Sequence, residues 1–166
     1  TKDSFYERDP INIAIAAEEY LKSTGVADVA YFGPEPEFFI LDKVLYEIKD
    51  NGAMYSFDSR EGWWKGAVVG GHLIQRKKGY APLPPLDKFE DLRKDIMCGL
   101  MFNGFAVETG HHEVSTAGQA EIDMKYAGLV KMGNQLVWLK HFIKNYAERY
   151  GVHATFMPKV FRRDNG

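Results

Sequence analysis

The chain has 166 residues, 45% hydrophobic and 14% aromatic, so it is long enough to bury a core and is neither disordered nor fibrous. Its 21 basic and 23 acidic side chains leave a net charge of -2, without the basic excess of a general nucleic-acid binder. Cys98, the single cysteine, forms no internal disulfide and fits a reducing compartment. No apolar run approaches the roughly 18 residues of a membrane span, and the opening Thr1 to Arg8 has no apolar leader. The expectation is a cytoplasmic chain that binds neither nucleic acid nor membrane.

Asp9-Pro10 is a helix start, with Asp as N-cap and Pro at the first helical position, and predicts a helix from Pro10 to Ser23 that stops at Gly25. Its apolar residues (Ile11, Ile13, Ala14, Ile15, Ala17, Tyr20, Leu21) are widely spread, which predicts burial on more than one side. Val29 to Leu41 is an extended run of aromatic and β-branched residues. Asp50-Asn51-Gly52 marks a turn before a strand at Met54 to Asp58. Glu61 to Gly71 reads as an irregular, packed loop around Trp63-Trp64. Three prolines keep Lys77 to Pro85 from being a central strand.

A second helix is expected from Asp87 to Phe102, with Phe89, Leu92, Ile96 and Leu100 along one side and Gly104 ending it. Cys98 falls within this apolar pattern and reads as a core residue. Two strands, a long helix from Leu129 to Tyr150 and a last strand from Val152 to Met157 complete the order. Without a strict βαβ rhythm, the expected class is α+β, an antiparallel sheet with flanking helices in a single domain.

Four glutamates stand out. In a strand, Glu35 and Glu37 would share a face about 6.5–7 Å apart, which suits one ligand for each of two neighbouring metals. A solvated strand face gives the same alternation, so the spacing leaves both readings open. Thr116-Ala117-Gly118 fits a three-residue hairpin loop that would set Glu113 directly opposite Glu121. Like charges so placed are destabilising unless a proton or cation intervenes. A shared Mg²⁺ or Mn²⁺ resolves the conflict, and so would carboxylates splayed into water. His111 and His112 are adjacent, so at most one of them points with the carboxylates. His72, His141 and His153 lack metal-ligand spacing, and the basic run Arg76-Lys77-Lys78 fits a phosphate contact or a solvated loop. There is neither a Walker-type glycine loop nor a dinucleotide fingerprint.

Several longer motifs follow one order: Arg8-Asp9-Pro10, Ala17 to Asp28, Phe32-Gly33-Pro34-Glu35-Pro36-Glu37-Phe38, Gly79-Tyr80, Pro84-Pro85, His111-His112-Glu113-Val114 with Thr116-Ala117-Gly118-Gln119 and Glu121, Ala154 to Lys159, and Asp164-Asn165-Gly166. In these the chain resembles type I (bacterial) glutamine synthetase over essentially its whole length. The resemblance implies an ATP-dependent ligation of ammonia to glutamate through γ-glutamyl phosphate, with two divalent cations (Mg²⁺ or Mn²⁺) in a homo-oligomer. By resemblance, Glu37, Glu113 and Glu121 hold the first metal and Glu35 the second. Glu108, His111 and Tyr126 match nucleotide and phosphate contacts, and Asn165 and Gly166 match contacts to substrate glutamate.

The departures are local and global. Gly71-His72-Leu73-Ile74 stands where the family reads Gly-His-Arg-Pro, Ala81 replaces an aromatic, Ala127 an Asn, and Val160 to Arg163 a Pro- and Gly-containing loop. The family's small N-terminal domain and the later part of its catalytic domain, with a histidine ligand of the second metal, have no counterpart in these residues. The expectation is a partial catalytic domain spanning 1–166, inactive alone. Two alternatives stay open: a ligase joining glutamate to another amine, and a non-catalytic or engineered homologue fragment with a structural or binding role.

Overall fold

The computed structural model describes residues 6–65 and 71–166. The polar start at 1–5 and the glycine-containing part of the expected loop at 66–70 lie outside them.

Helix α1 spans Pro10–Ser23, with the Asp9 side chain accepting the Ile11 N–H at 3.0 Å as its N-cap. Helix α2 spans Glu90–Phe102 and α3 Leu129–Arg149. The start of α2 comes three residues later than the sequence suggests. Asp87 instead accepts the Phe89 N–H and pairs with Arg93, so it holds the turn that enters the helix.

The extended run breaks into β1 (Tyr31–Phe32) and β2 (Glu37–Leu41), because Pro34 and Pro36 can donate no ladder bonds. Strand β3 (Lys43–Lys49), which the sequence reading did not single out, pairs across the Asp50-Asn51 turn with β4 (Gly52–Asp58), the strand expected at Met54 to Asp58. The chain then adds β5 (Val107–His112), β6 (Gln119–Met124), β7 (Ala127–Gly128) and β8 (His153–Thr155).

The main sheet has the order β5-β6-β2-β8, with every pairing antiparallel, and β1 pairs with β7 beside it. This is the expected α+β class. Side-chain alternation divides the sheet's two faces. Phe38, Ile40, Ala120, Ile122 and Met124 join Leu92, Ile96 and Leu100 of α2 and Leu139, Ile143 and Ala147 of α3 in one core. Truncating one of its Leu, Ile or Met residues to Ala costs about 2–5 kcal/mol. Glu37, Gln119, Glu121 and Asp123 alternate with those positions and occupy the opposite face.

Two burial expectations are corrected. No residue of α1 is buried: it packs against α3, while Ile13 and Tyr20 stay exposed on its other sides. Cys98 is exposed as well. It lies two residues, about 200°, from Ile96 and so falls off the Leu92–Ile96–Leu100 stripe that faces the core.

Candidate metal centre

The glutamates meet where β2, β6 and the end of β5 lie side by side. Glu37 is the direct antiparallel partner of Glu121, and His111 partners Glu121 from the other side. Glu113 follows β5 and donates its N–H to the Gln119 carbonyl at 2.9 Å. The expected register is therefore corrected: Glu113 faces Gln119, and Glu121 faces His111.

The connection runs over 114–118 and is longer than the three residues expected. Ala117 and Gly118 both take left-handed φ (52° and 81°), and the Gln119 side chain accepts the Ser115 N–H at 2.7 Å where strand pairing was expected. A two-residue change of register preserves which face each side chain takes. Glu113 and Glu121 therefore still share a face.

On that face, ligand atoms of His111, Glu113 and Glu121 all lie within 4.8 Å of one another. His111 Nδ1 is 3.5 Å from Glu113 Oε1, and its Nε2 is 3.9 Å from Glu121 Oε2. The second histidine turns the other way, as adjacency requires: His112 is buried and bonded to Glu61. Gln119 also donates from Nε2 to Glu37 Oε2 at 2.5 Å, tying Glu37 to the same loop.

The electrostatics register the crowding. Burial is the main force that raises the Glu121 carboxyl, to about 8, aided by a hydrogen bond with Asp123, the Asp123 charge and the nearby Glu113. Glu37 is also raised, first by burial and then by the charges of Glu113 and Glu35, with His111 partly opposing them. One Asp123 carboxylate oxygen is buried without a hydrogen-bond partner. The carboxylate oxygens gathered here suit a hard divalent cation of the Mg²⁺ or Mn²⁺ type.

The other sequence-derived residues are more dispersed. Glu35 is exposed in the Pro34–Pro36 segment before β2, outside any strand, so the strand-spacing argument does not apply to it. Its charge still acts on Glu37. Glu108 sits at a register shift of β5 between Val107 and Thr109 and is exposed. Tyr126 is exposed between β6 and β7, edge-on to Tyr31 at 5.2 Å. Asn165 and Gly166 follow buried Asp164, whose carboxylate accepts N–H groups from Lys77, Thr116 and Asn165 at 2.9–3.2 Å and so joins their segment to the hairpin loop.

Sequence reasoning gave no role to Glu61, Gln119 or Asp123. Alternation with Glu121 could have signalled the latter two, whereas nothing local marks Glu61.

The chain is thus an α+β domain with a carboxylate cluster on the sheet face opposite α2 and α3. The family model described as glutamine synthetase, catalytic domain, matches residues 7–166, and the chain belongs to that family. It is 50% identical over 164 residues to a glutamine synthetase of Streptomyces filamentosus, covering 97% of this chain and 35% of the relative. A glutamine synthetase of Aquifex aeolicus is 46% identical, with 97% and 34% covered. The cryo-EM structure of Plasmodium falciparum glutamine synthetase superposes with a TM-score of 0.87 at 30% identity, over 98% of this chain and 33% of that one. The chain thus spans about a third of the length of the relatives it matches.

Proposed function

We propose that these residues are the metal-holding part of a glutamine synthetase catalytic domain, in which Glu37, Glu113 and Glu121 hold a first Mg²⁺ or Mn²⁺ and Glu35 contributes to a second. The observation that carries this reading is the meeting of Glu37, Glu121, Glu113 and His111 on one sheet face, where crowding and burial raise the Glu121 carboxyl. When bound, such cations neutralise phosphate charge and polarise a phosphoryl group. The residues of this chain supply position: paired strands fix Glu37 and Glu121, and Gln119 restrains the Glu37 carboxylate.

In this reading the reaction is ATP-dependent ligation of ammonia to glutamate through γ-glutamyl phosphate. Glu108, His111 and Tyr126 face the nucleotide, and Asn165 and Gly166 bind glutamate. The whole protein works as a cytoplasmic homo-oligomer, and the 166 residues by themselves are a partial, inactive catalytic domain. No helix among the described residues is long and apolar enough to cross a membrane.

Thermal melting with and without Mn²⁺ tests the metal assignment. A cation that binds only the folded state raises stability by mass action, so the melting temperature of the parent climbs with Mn²⁺. Glu121→Gln removes one charged ligand, and its melting temperature climbs less. Equal metal-induced shifts in the two proteins would refute the assignment of Glu121.

A further inference from the structure

We infer that His112, held in place by Glu61, is a positioning residue that aims the metal ligand Glu113. The inference rests on the metal reading above. Glu61 lies 51 residues from His112, yet both side chains are wholly buried and meet at 3.0 Å between Glu61 Oε2 and His112 Nε2. Two ionisable groups in a core are costly unless paired and fully hydrogen-bonded, and here nearly every polar atom is used. Glu61 Oε1 accepts the Lys88 N–H at 2.6 Å, and the Glu61 carbonyl accepts the Ile74 N–H at 3.0 Å, so the carboxylate sits on a fixed backbone.

The other ring nitrogen shows what this arrangement serves. His112 Nδ1 lies 2.7 Å from the Glu113 carbonyl oxygen. A carbonyl can only accept, so Nδ1 carries the hydrogen, and bonds at both nitrogens lock the ring. Glu113 is then gripped on both its peptide groups: its N–H by the Gln119 carbonyl and its C=O by His112. Those two bonds set the direction in which its side chain leaves the backbone toward His111 and Glu121.

Gly79 closes the remaining side. A Cβ there would lie 2.5 Å from the Glu113 oxygen and 2.8 Å from His112 Cε1, so the strap over this contact has no room for a side chain. The strap is itself tied down, with Gly79 N–H donating to the Val114 carbonyl at 3.0 Å and Ala81 N–H to the His112 carbonyl at 2.9 Å. Partners of this kind behind a metal ligand typically contribute 10–100-fold to metal affinity.

The test is Mn²⁺ affinity, measured by paramagnetic resonance titration at a temperature where circular dichroism shows each variant folded. In His112→Gln the amide nitrogen takes the place of Nε2, keeping the Glu61 contact and losing the bond to the Glu113 carbonyl. Its Mn²⁺ dissociation constant rises roughly tenfold or more. In His112→Asn the amide nitrogen takes the place of Nδ1, keeping the bond to the Glu113 carbonyl and losing the Glu61 contact, so its dissociation constant falls between those of the parent and His112→Gln. Parental affinity in His112→Gln, or an equal loss in both variants, would overturn the positioning role, since a merely structural role does not distinguish the two nitrogens.

Should His112→Gln fail to fold, Glu61→Asp decides, because it keeps the charge and shortens the arm. Several-fold weaker Mn²⁺ binding supports the inference, and parental binding overturns it. Glu121→Gln separates the two claims. Weakened binding there with parental binding in His112→Gln leaves the metal reading standing and removes this inference. Absence of Mn²⁺ binding by the parent, or parental affinity in Glu121→Gln, removes both.

Discussion

At Glu121 a single side chain states the chemistry of the site. Its carboxyl, ordinarily near 4.5, is held at about 8 by burial first and by Asp123 and Glu113 after it. In the metal-free protein the folded state therefore binds more protons than the unfolded chain between these values. The resulting stabilisation is fully present below about pH 4.5 and is lost as pH rises through about 8. The expected outcome is that the stability difference between the metal-free parent and Glu121→Gln shifts against the parent from pH 5 to pH 8, followed by urea denaturation at several pH values. Saturating Mn²⁺ reverses the trend for the parent, because a carboxylate must lose its proton to bind the metal. A difference that stays flat across this window would mean that Glu121 titrates as an ordinary surface carboxyl.

The element that assembles the site is the β5–β6 hairpin, and its loop depends on Gly118. That residue has φ 81°, and an added Cβ would lie 2.1 Å from the Ile40 carbonyl oxygen, while its own carbonyl accepts the Ile40 N–H at 2.8 Å. Gly25 also has a left-handed φ, 69°, but nothing lies within 4 Å of its Cβ position. Each Gly→Ala change incurs a backbone cost of roughly 1–2 kcal/mol, and Gly118→Ala adds a backbone clash. Gly118→Ala is expected to lose clearly more stability than Gly25→Ala in urea titrations, and to weaken Mn²⁺ binding, which Gly25→Ala leaves intact. Equal losses would contradict the role given to the loop.

The same hairpin shows what was legible in the sequence. Parity along a strand was enough to place Glu113, Glu121 and one of the two histidines on a common face. The register was not, because the Gln119 side chain and a second left-handed residue, Ala117, extend the loop. Helix α2 was readable from its Leu92–Ile96–Leu100 stripe. Cys98 was misplaced because an apolar residue near a stripe is not on it. The Glu61–His112 contact spans 51 residues and leaves no local pattern at all.

Across the whole molecule, one sheet divides two tasks. Its apolar face packs on α2 and α3 and supplies the stability, and its other face gathers carboxylates whose mutual repulsion works against that stability. A face crowded with carboxylates is tolerated because the core behind it is one continuous cluster. The chain belongs to the glutamine synthetase family, and His111, Glu113 and Glu121 gather on this face. The most direct test is crystallographic: diffraction from Mn²⁺-soaked crystals, recorded with anomalous signal at the manganese edge. The account predicts a peak on the sheet face opposite α2 and α3, at about 2.0–2.6 Å from carboxylate oxygens of Glu37, Glu113 and Glu121. No peak within reach of these three carboxylates while the protein is saturated with Mn²⁺ would contradict it.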